Sequence, residues 1–373
     1  MRILQVTRQF HPSVGGIESV VWHLTQHLNV VGHRTDVISL NRTWNNPVPL
    51  PSDEVIEGIR IRRVPYWGRR CYAVAPQILK YVREYDLLHI HSSDFLLDYL
   101  AFSQPWHGKP LVLSSHGVFF HTSFARRLKS VYFHTITRLG LQRVSKIVCV
   151  SQQDLNLLAK VAPRHKLRLI HNGINYDELA ELDRTRDPNL LLSVGRLASN
   201  KRYDRLLAAF ALVVQRRPAA RLVIIGPDWG EMKTLQRMAV SLNITNQVRL
   251  LGKVPRQQLL NHLGQASIWL TASEYEAFGV ALLEAQAAGC VVIANQVPAF
   301  NQLLSDKRDG FLVDFMNMHA TAETILQVLD MPAETRLQMT GRAQQRAAKF
   351  SWQTQALQFD ELYKEVLSDY QSR

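Results

Sequence analysis

MRILQVTRQFHPSVGGIESVVWHLTQHLNVVGHRTDVISL, residues 1–40, reads in order as strand, loop, helix and strand. Ile3, Leu4 and Val6 form a short apolar run, and the following QFHPSVGG is a loop marked by Pro and Gly. Ile17, Val20, Val21, Leu24, Leu28 and Val31 then recur at the three- and four-residue spacing of one helical face, with Gly32 as a stop. Thr35–Leu40 is the second strand. Two short apolar strands joined through a helix make a βαβ unit, and such strands run parallel.

The alternation continues along the chain. Strand candidates lie at 87–90, 111–115, 146–150 and 167–170, and again at 190–194, 222–225, 248–251, 267–271 and 291–294. Helical patterns near 202–216, 231–242, 256–264 and 279–288 separate the later strands. Over 373 residues this predicts an α/β chain of two doubly wound, Rossmann-like domains. The turn-like His171-Asn172-Gly173-Ile174-Asn175 puts the boundary between an N-terminal domain, 1–170, and a C-terminal domain, 171–350. The last helical pattern, within 351–373, is a candidate to pack back onto the first domain. Sheets of this kind bind ligands beyond the carboxyl ends of their strands, so two domains facing each other would hold the site in the cleft between them.

Composition narrows the class. With 46% hydrophobic and 20% charged residues the chain has ordinary globular usage. No apolar run reaches the roughly 18–20 residues that span a bilayer, and the N-terminus lacks a signal-peptide core. Cys71, Cys149 and Cys290, widely spaced and odd in number, give no disulfide or zinc framework, which points to a reducing cytoplasm. Residues 1–170 carry 22 Lys and Arg against 10 Asp and Glu, whereas 171–373 carry 22 against 21. The net charge of +13 therefore sits almost wholly in the first half, which suits an anionic partner or else is a solvated basic face without one.

Four segments carry chemistry. In SVGRLASNK (193–201), Arg196 and Lys201 follow directly on a strand, and a guanidinium and an ammonium from one loop fit a diphosphate. In SEYEAFGVALLEAQAAGC (273–290), Glu276 precedes a helix that enters at Phe278-Gly279, and Glu284 lies within it. A carboxylate suits sugar hydroxyls, and the unpaired N–H groups of a helix start suit phosphate or hydroxyl oxygens. A solvated basic loop and two ordinary surface glutamates would give the same letters. Gly15-Gly16 is either a close phosphate approach or simply a tight turn. His116, after the strand at 111–115, is placed at a strand end. Beyond it Phe119, Phe120, Phe124, Tyr132 and Phe133 interleave with Arg126, Arg127, Lys129 and Arg138. That mixture suits a membrane interface or lipid diphosphate, or single-stranded nucleic acid, or a core helix with a basic outer face. A nucleic-acid partner would leave Glu276, Glu284 and the phosphate loop unexplained and is not expected. His89, His91, His116 and His121 lack a completing carboxylate or Cys at ligand spacing, and no Asp-x-Asp pair occurs, so neither a metal nor another cofactor is expected.

Gly15-Gly16, His116-Gly117, Asn172-Gly173, Gly195-Arg196 with Lys201, and Glu276-Ala-Phe-Gly-Val-Ala-Leu-Leu-Glu284 occur in an order that resembles the retaining glycosyltransferases of family 4, which have the two-Rossmann GT-B architecture. The resemblance covers nearly the whole chain. It implies that Arg196 and Lys201 bind the diphosphate of a nucleotide-sugar donor. Glu276 and the backbone at Phe278, Gly279 and Val280 would hold the donor sugar, and Glu284 the ribose. Gly15 and Gly16 would let their loop approach the diphosphate, and His116 would lie beside the transferred sugar. Arg202 stands where the family often has Gly, and Asn175 where it commonly has Asp. RQFHPS (8–13), Asp94-Phe95 with Asp98-Tyr99-Leu100, and HGVFFHT (116–122) give a narrower likeness, to mannosyltransferases of bacterial exopolysaccharide assembly. Those enzymes move α-mannose from GDP-mannose to a polyprenyl-diphosphate-linked oligosaccharide. This implies a lipid-diphosphate-linked glycan acceptor met at the inner face of the membrane, with Phe119, Phe120, His121, Arg126, Arg127 and Lys129 toward acceptor or lipid.

Overall fold

The computed structural model describes residues 1–13, 15–44, 46–69, 72–116 and 130–372. The chain forms two compact units, Met1–Gly173 with Trp352–Arg373, and Ile174–Ser351.

The first unit contains β1 (Arg2–Val6), β2 (Arg34–Leu40), β3 (Asp53–Ile56), β4 (Ile59–Val64), β5 (Trp67–Arg69), β6 (Tyr72–Val74), β7 (Leu87–His91), β8 (Leu111–Ser114), β9 (Lys146–Cys149) and β10 (Leu167–Leu169). Eight of these make one sheet in the order β10-β9-β8-β7-β1-β2-β4-β3, while β5 and β6 pair as a separate hairpin. Within the eight-stranded sheet only the β3–β4 pairing is antiparallel. Strand alternation sends successive side chains to opposite faces. Ile3, Leu87 and Val112 pack with Val20, Leu24 and Leu28 of helix Gly16–Val30 and with Phe359 and Tyr363 of the C-terminal helix Trp352–Gln371. Leu4, Leu88 and Leu113 face the other way, against Phe95 and Leu100.

The C-terminal helix belongs to this unit because of its apolar stripe. Trp352, Ala356, Phe359, Tyr363 and Val366 are buried at three- and four-residue spacing. Burying a side chain the size of Phe359 stabilises by about 1.5–3 kcal/mol, so the stripe amounts to a strong anchor. Gly173 is required where the chain leaves the unit, since a Cβ there would run into the Trp352 ring.

The second unit holds β11 (Asp187–Val194), β12 (Arg221–Ile225), β13 (Val248–Gly252), β14 (Ala266–Thr271), β15 (Val291–Asn295) and β16 (Phe311–Val313). All are parallel, in the order β13-β12-β11-β14-β15-β16. This is the strand order of a doubly wound nucleotide-binding sheet, whose winding reverses between β11 and β14. In the first sheet the reversal lies between β1 and β7. Loops after two neighbouring strands diverge at such a point and leave a crevice. Among the described residues no helix is long and apolar enough to cross a membrane.

Candidate active site

The reversal point of the second unit carries several of the residues singled out above, and in the first unit Gly15 follows β1 while His116 follows β8. In the second unit, the loop after β11 contains Arg196 and the short turn Ser199–Lys201, followed by helix Tyr203–Arg216. The loop after β14 contains Glu276 and ends at Gly279, which precedes helix Val280–Ala287. Adjacency of β11 and β14 brings these loops together. Lys201 Nζ pairs with Glu276 Oε1, and the Ser273 hydroxyl donates to the same oxygen at 3.0 Å. The Arg196 guanidinium is exposed and lies 4.3 Å from the Trp229 ring centroid, a cation–π contact that leaves its N–H edges available.

Gly279 takes φ of +113°, and a Cβ would meet Phe300 and Leu303 at 3.0 and 3.1 Å, so glycine is required for this helix entry. Phe278 is buried against Phe350, so its side chain belongs to the core and only its backbone is offered at the loop. Val280 opens the helix, where the first N–H groups lack intrahelical acceptors. Glu284 lies one turn further and pairs with Arg256 at 3.0 Å. Arg256 also pairs with Glu178 at 2.7 Å. Arg202 has φ of +51°, the left-handed conformation that favours glycine. Ion pairs at 2.7 Å to Asp204 and 2.6 Å to Glu274 offset that cost.

In the first unit, Gly15 caps helix Gly16–Val30 just beyond β1. A Cβ at Gly16 would project into open space, whereas one at Gly15 would strike the Glu18 carboxylate. His116 stands after β8 with φ of +49°, and its Nε2 lies 2.8 Å from His91 Nδ1. Burial pushes the His116 imidazole down to about 4, so it is neutral near pH 7. His89 and His91 are completely buried and likewise driven well below the usual range. Arg8, beyond β1, pairs at 2.9 Å with Asp94, whose carboxyl burial raises to about 6.

Phe119, Phe120, His121, Phe124, Arg126, Arg127 and Lys129 lie outside the described residues. The two described aromatic side chains of that stretch turn into the unit, in line with the core-helix alternative for these two positions. Phe133 is buried in the core, and the Tyr132 hydroxyl bonds Asp98. Among the described residues of that segment, the exposed large apolar side chains are Val131, Ile136 and Leu139. Sequence reading missed Trp229 and Arg256, which carry no motif of their own. It also missed the partners of the histidines.

Comparison with known proteins gives two family matches, "Glycosyltransferase Family 4" over residues 14–178 and "Glycosyl transferases group 1" over residues 177–346. The GDP-mannose:cellobiosyl-diphosphopolyprenol alpha-mannosyltransferase of Xanthomonas oryzae pv. oryzae is 34% identical over 90% of this chain and 88% of its own. The chain belongs to glycosyltransferase family 4. The Komagataeibacter xylinus enzyme of the same name is 32% identical over 98% of this chain and 94% of its own. Among solved structures, sucrose-phosphate synthase of Thermosynechococcus elongatus aligns with a TM-score of 0.79 at 21% identity, covering 99% of each chain. That likeness shows the fold alone, which is GT-B. This family 4 glycosyltransferase is a hexosyltransferase.

Proposed function

We propose that the protein is a retaining, metal-independent α-mannosyltransferase that uses GDP-mannose and a polyprenyl-diphosphate-linked oligosaccharide acceptor. The observation that carries this reading is its identity, along most of its length, to curated enzymes of that activity. The site chemistry supports it. Arg196 as a fork and Lys201 as a point charge suit the two phosphates of the leaving nucleotide. Their charge would act most as negative charge develops there, the usual electrostatic contribution of such donors. The bond from the sugar C1 to the distal phosphate oxygen breaks, and the acceptor oxygen bonds C1 on the same face. The acceptor proton passes to the leaving diphosphate. Glu276, released from Lys201 by the incoming phosphate, would accept from donor-sugar hydroxyls, and Glu284 from the ribose. Neutral His116 would hydrogen-bond the transferred sugar.

A membrane-borne acceptor calls for peripheral attachment at the cytoplasmic face. The net of +12 over residues 1–170 supports this, as do exposed Trp67, Tyr72, Val74 and Val131 in the same unit. Arg126, Arg127 and Lys129 belong to that basic stretch of sequence. Reversing all three to Glu should release the protein from anionic vesicles and reduce transfer to a membrane-borne acceptor far more than to a short soluble analogue. Equal loss on both acceptors would remove the docking role.

The activity itself is tested with GDP-mannose, UDP-glucose and UDP-N-acetylglucosamine against a synthetic cellobiosyl-diphospholipid, in excess EDTA. Expected is a single mannose added from GDP-mannose in α linkage. Transfer only from a UDP-sugar, a β product, or activity that requires a divalent ion would overturn the corresponding part.

A further inference from the structure

Gln5 of β1, His89 and His91 of β7, and Ser114 of β8 alternate onto the same sheet face as Ile3, Leu87 and Val112. That face is covered by the C-terminal helix. These polar side chains are each at most 1% exposed, and they are joined in two short chains. In one, the Tyr363 hydroxyl lies 2.7 Å from His89 Nδ1, and His89 Nε2 lies 2.8 Å from Ser114 Oγ. In the other, Gln5 Oε1 lies 2.6 Å from His91 Nε2, and His91 Nδ1 lies 2.8 Å from His116 Nε2. The His91 and His116 rings are within 17° of parallel with centroids 5.1 Å apart. Two rings joined edge to edge at 2.8 Å give that separation, so the contact is an in-plane hydrogen bond and not a face-to-face stack.

The second chain has a direction. An amide oxygen only accepts, so the proton in the Gln5–His91 contact is on His91 Nε2. Burial keeps His91 neutral, with a single N–H, so its Nδ1 is bare and must accept. The proton of the His91–His116 contact is therefore on His116 Nε2. We propose that Gln5 and His91 are positioning residues that hold His116 as its Nε2–H tautomer and leave its Nδ1 as a fixed acceptor for a hydroxyl of the transferred sugar. This rests on the role given to His116 above. The left-handed backbone at His116 and at Ser92, φ of +90°, fits such a constrained end, since this conformation costs non-glycine residues energy.

The test is the 15N–1H spectrum of the histidine side chains in the full-length, unliganded protein at pH 7, with His116→Gln used to assign the signal. The relay predicts a His116 Nε2 of pyrrole type and a Nδ1 of pyridine type. It also predicts that Gln5→Met, which removes the acceptor while keeping the shape, turns both signals into tautomer averages. Ser114→Ala deletes a buried hydroxyl that bonds only His89, in the other chain, and should leave the His116 pattern pure. In Gln5→Met, kcat should fall about tenfold with little change in donor KM. A protonated Nδ1 on wild-type His116, or an averaged signal there, overturns the proposal whether or not either variant folds. Because the spectrum needs no substrate, a fixed tautomer in a protein without mannosyl transfer would count against the functional reading and leave the relay standing.

Discussion

Beyond β11 and β14, charged groups are held by charged groups: Lys201 by Glu276, Arg202 by Asp204 and Glu274, and Arg256 by Glu178 and Glu284. Among the described residues beyond β1, β7 and β8, His91 is held between two neutral groups, Gln5 and His116, with the Arg8–Asp94 pair beside them. The difference matches what each region is proposed to bind. A lysine already paired with a carboxylate can exchange it for a phosphate, so the donor diphosphate would meet a cation that is in place. A buried imidazole that cannot readily ionise offers orientation without charge, which suits a hydroxyl. On this reading one region would work by exchange of partners, the other by fixed direction.

The sharpest way to break this contrast is in the charged region. Lys201→Ala or Arg196→Ala should lower kcat/KM by about 10²–10³, on the scale of losing one preorganised donor to developing charge. Steady-state kinetics with GDP-mannose read this directly, and wild-type values in either variant would remove the loop from the site.

Acid should act mainly on the neutral region. His89, His91 and His116 bind protons less readily folded than unfolded. The unfolded chain then takes up more protons as pH falls below about 6.5, so stability present above that pH is lost toward pH 4. For His116, displaced to about 4 and partly exposed, the loss is on the order of 2–3 kcal/mol. Asp94, raised to about 6, opposes this over part of the range, as do Asp98 and Glu18 to a smaller extent. Hydrogen exchange at pH 7 and pH 4.5 should show protection falling more around β1, β7 and β8 than around β11 and β14. Among described histidines of the second unit only His262 is depressed. Equal loss in both units would show that the buried imidazoles do not set the acid limit.

Smaller effects sharpen the comparison. Arg256→Ala leaves Glu284 without its 3.0 Å partner, and a half-exposed pair of this kind is worth up to about 1 kcal/mol. Donor KM should rise severalfold with kcat little changed. Trp229→Ala removes the ring beneath Arg196, worth about 0.5–1 kcal/mol at an exposed site, so a two- to fivefold rise in donor KM is expected.

Elements with a clear apolar run or a helical apolar spacing were legible from sequence. The strand expected at 291–294 is Val291–Asn295, and the helix expected at 256–264 is Arg256–Gln265. The β3–β4 hairpin was not legible, because Arg60, Arg62 and Arg63 break its apolar pattern. In the fold Arg62 is held by Glu84 at 2.8 Å and Arg63 by Glu54, so these arginines are tolerated inside a strand. Individual site residues could be picked out by type and by their position after a strand. Their contacts could not. Lys201 and Glu276 are 75 positions apart and meet only because β14 lies beside β11. His89 and His91 share a strand face at a spacing visible in the letters. Their partners include Tyr363, 274 positions from His89, which only the returning helix brings near. The glycine preference after the motif lysine was visible as a departure at Arg202, but its cause, a left-handed backbone, belongs to the fold.

Titration calorimetry with GDP on the wild type, Lys201→Ala and His116→Ala tests the division of labour most directly. The account predicts that Lys201→Ala weakens GDP binding at least tenfold, that His116→Ala leaves it within about twofold, and that both variants lose mannosyl transfer. A His116→Ala protein that binds GDP as poorly as Lys201→Ala, or a Lys201→Ala protein that binds it normally, would contradict the assignment of charge to one unit and direction to the other.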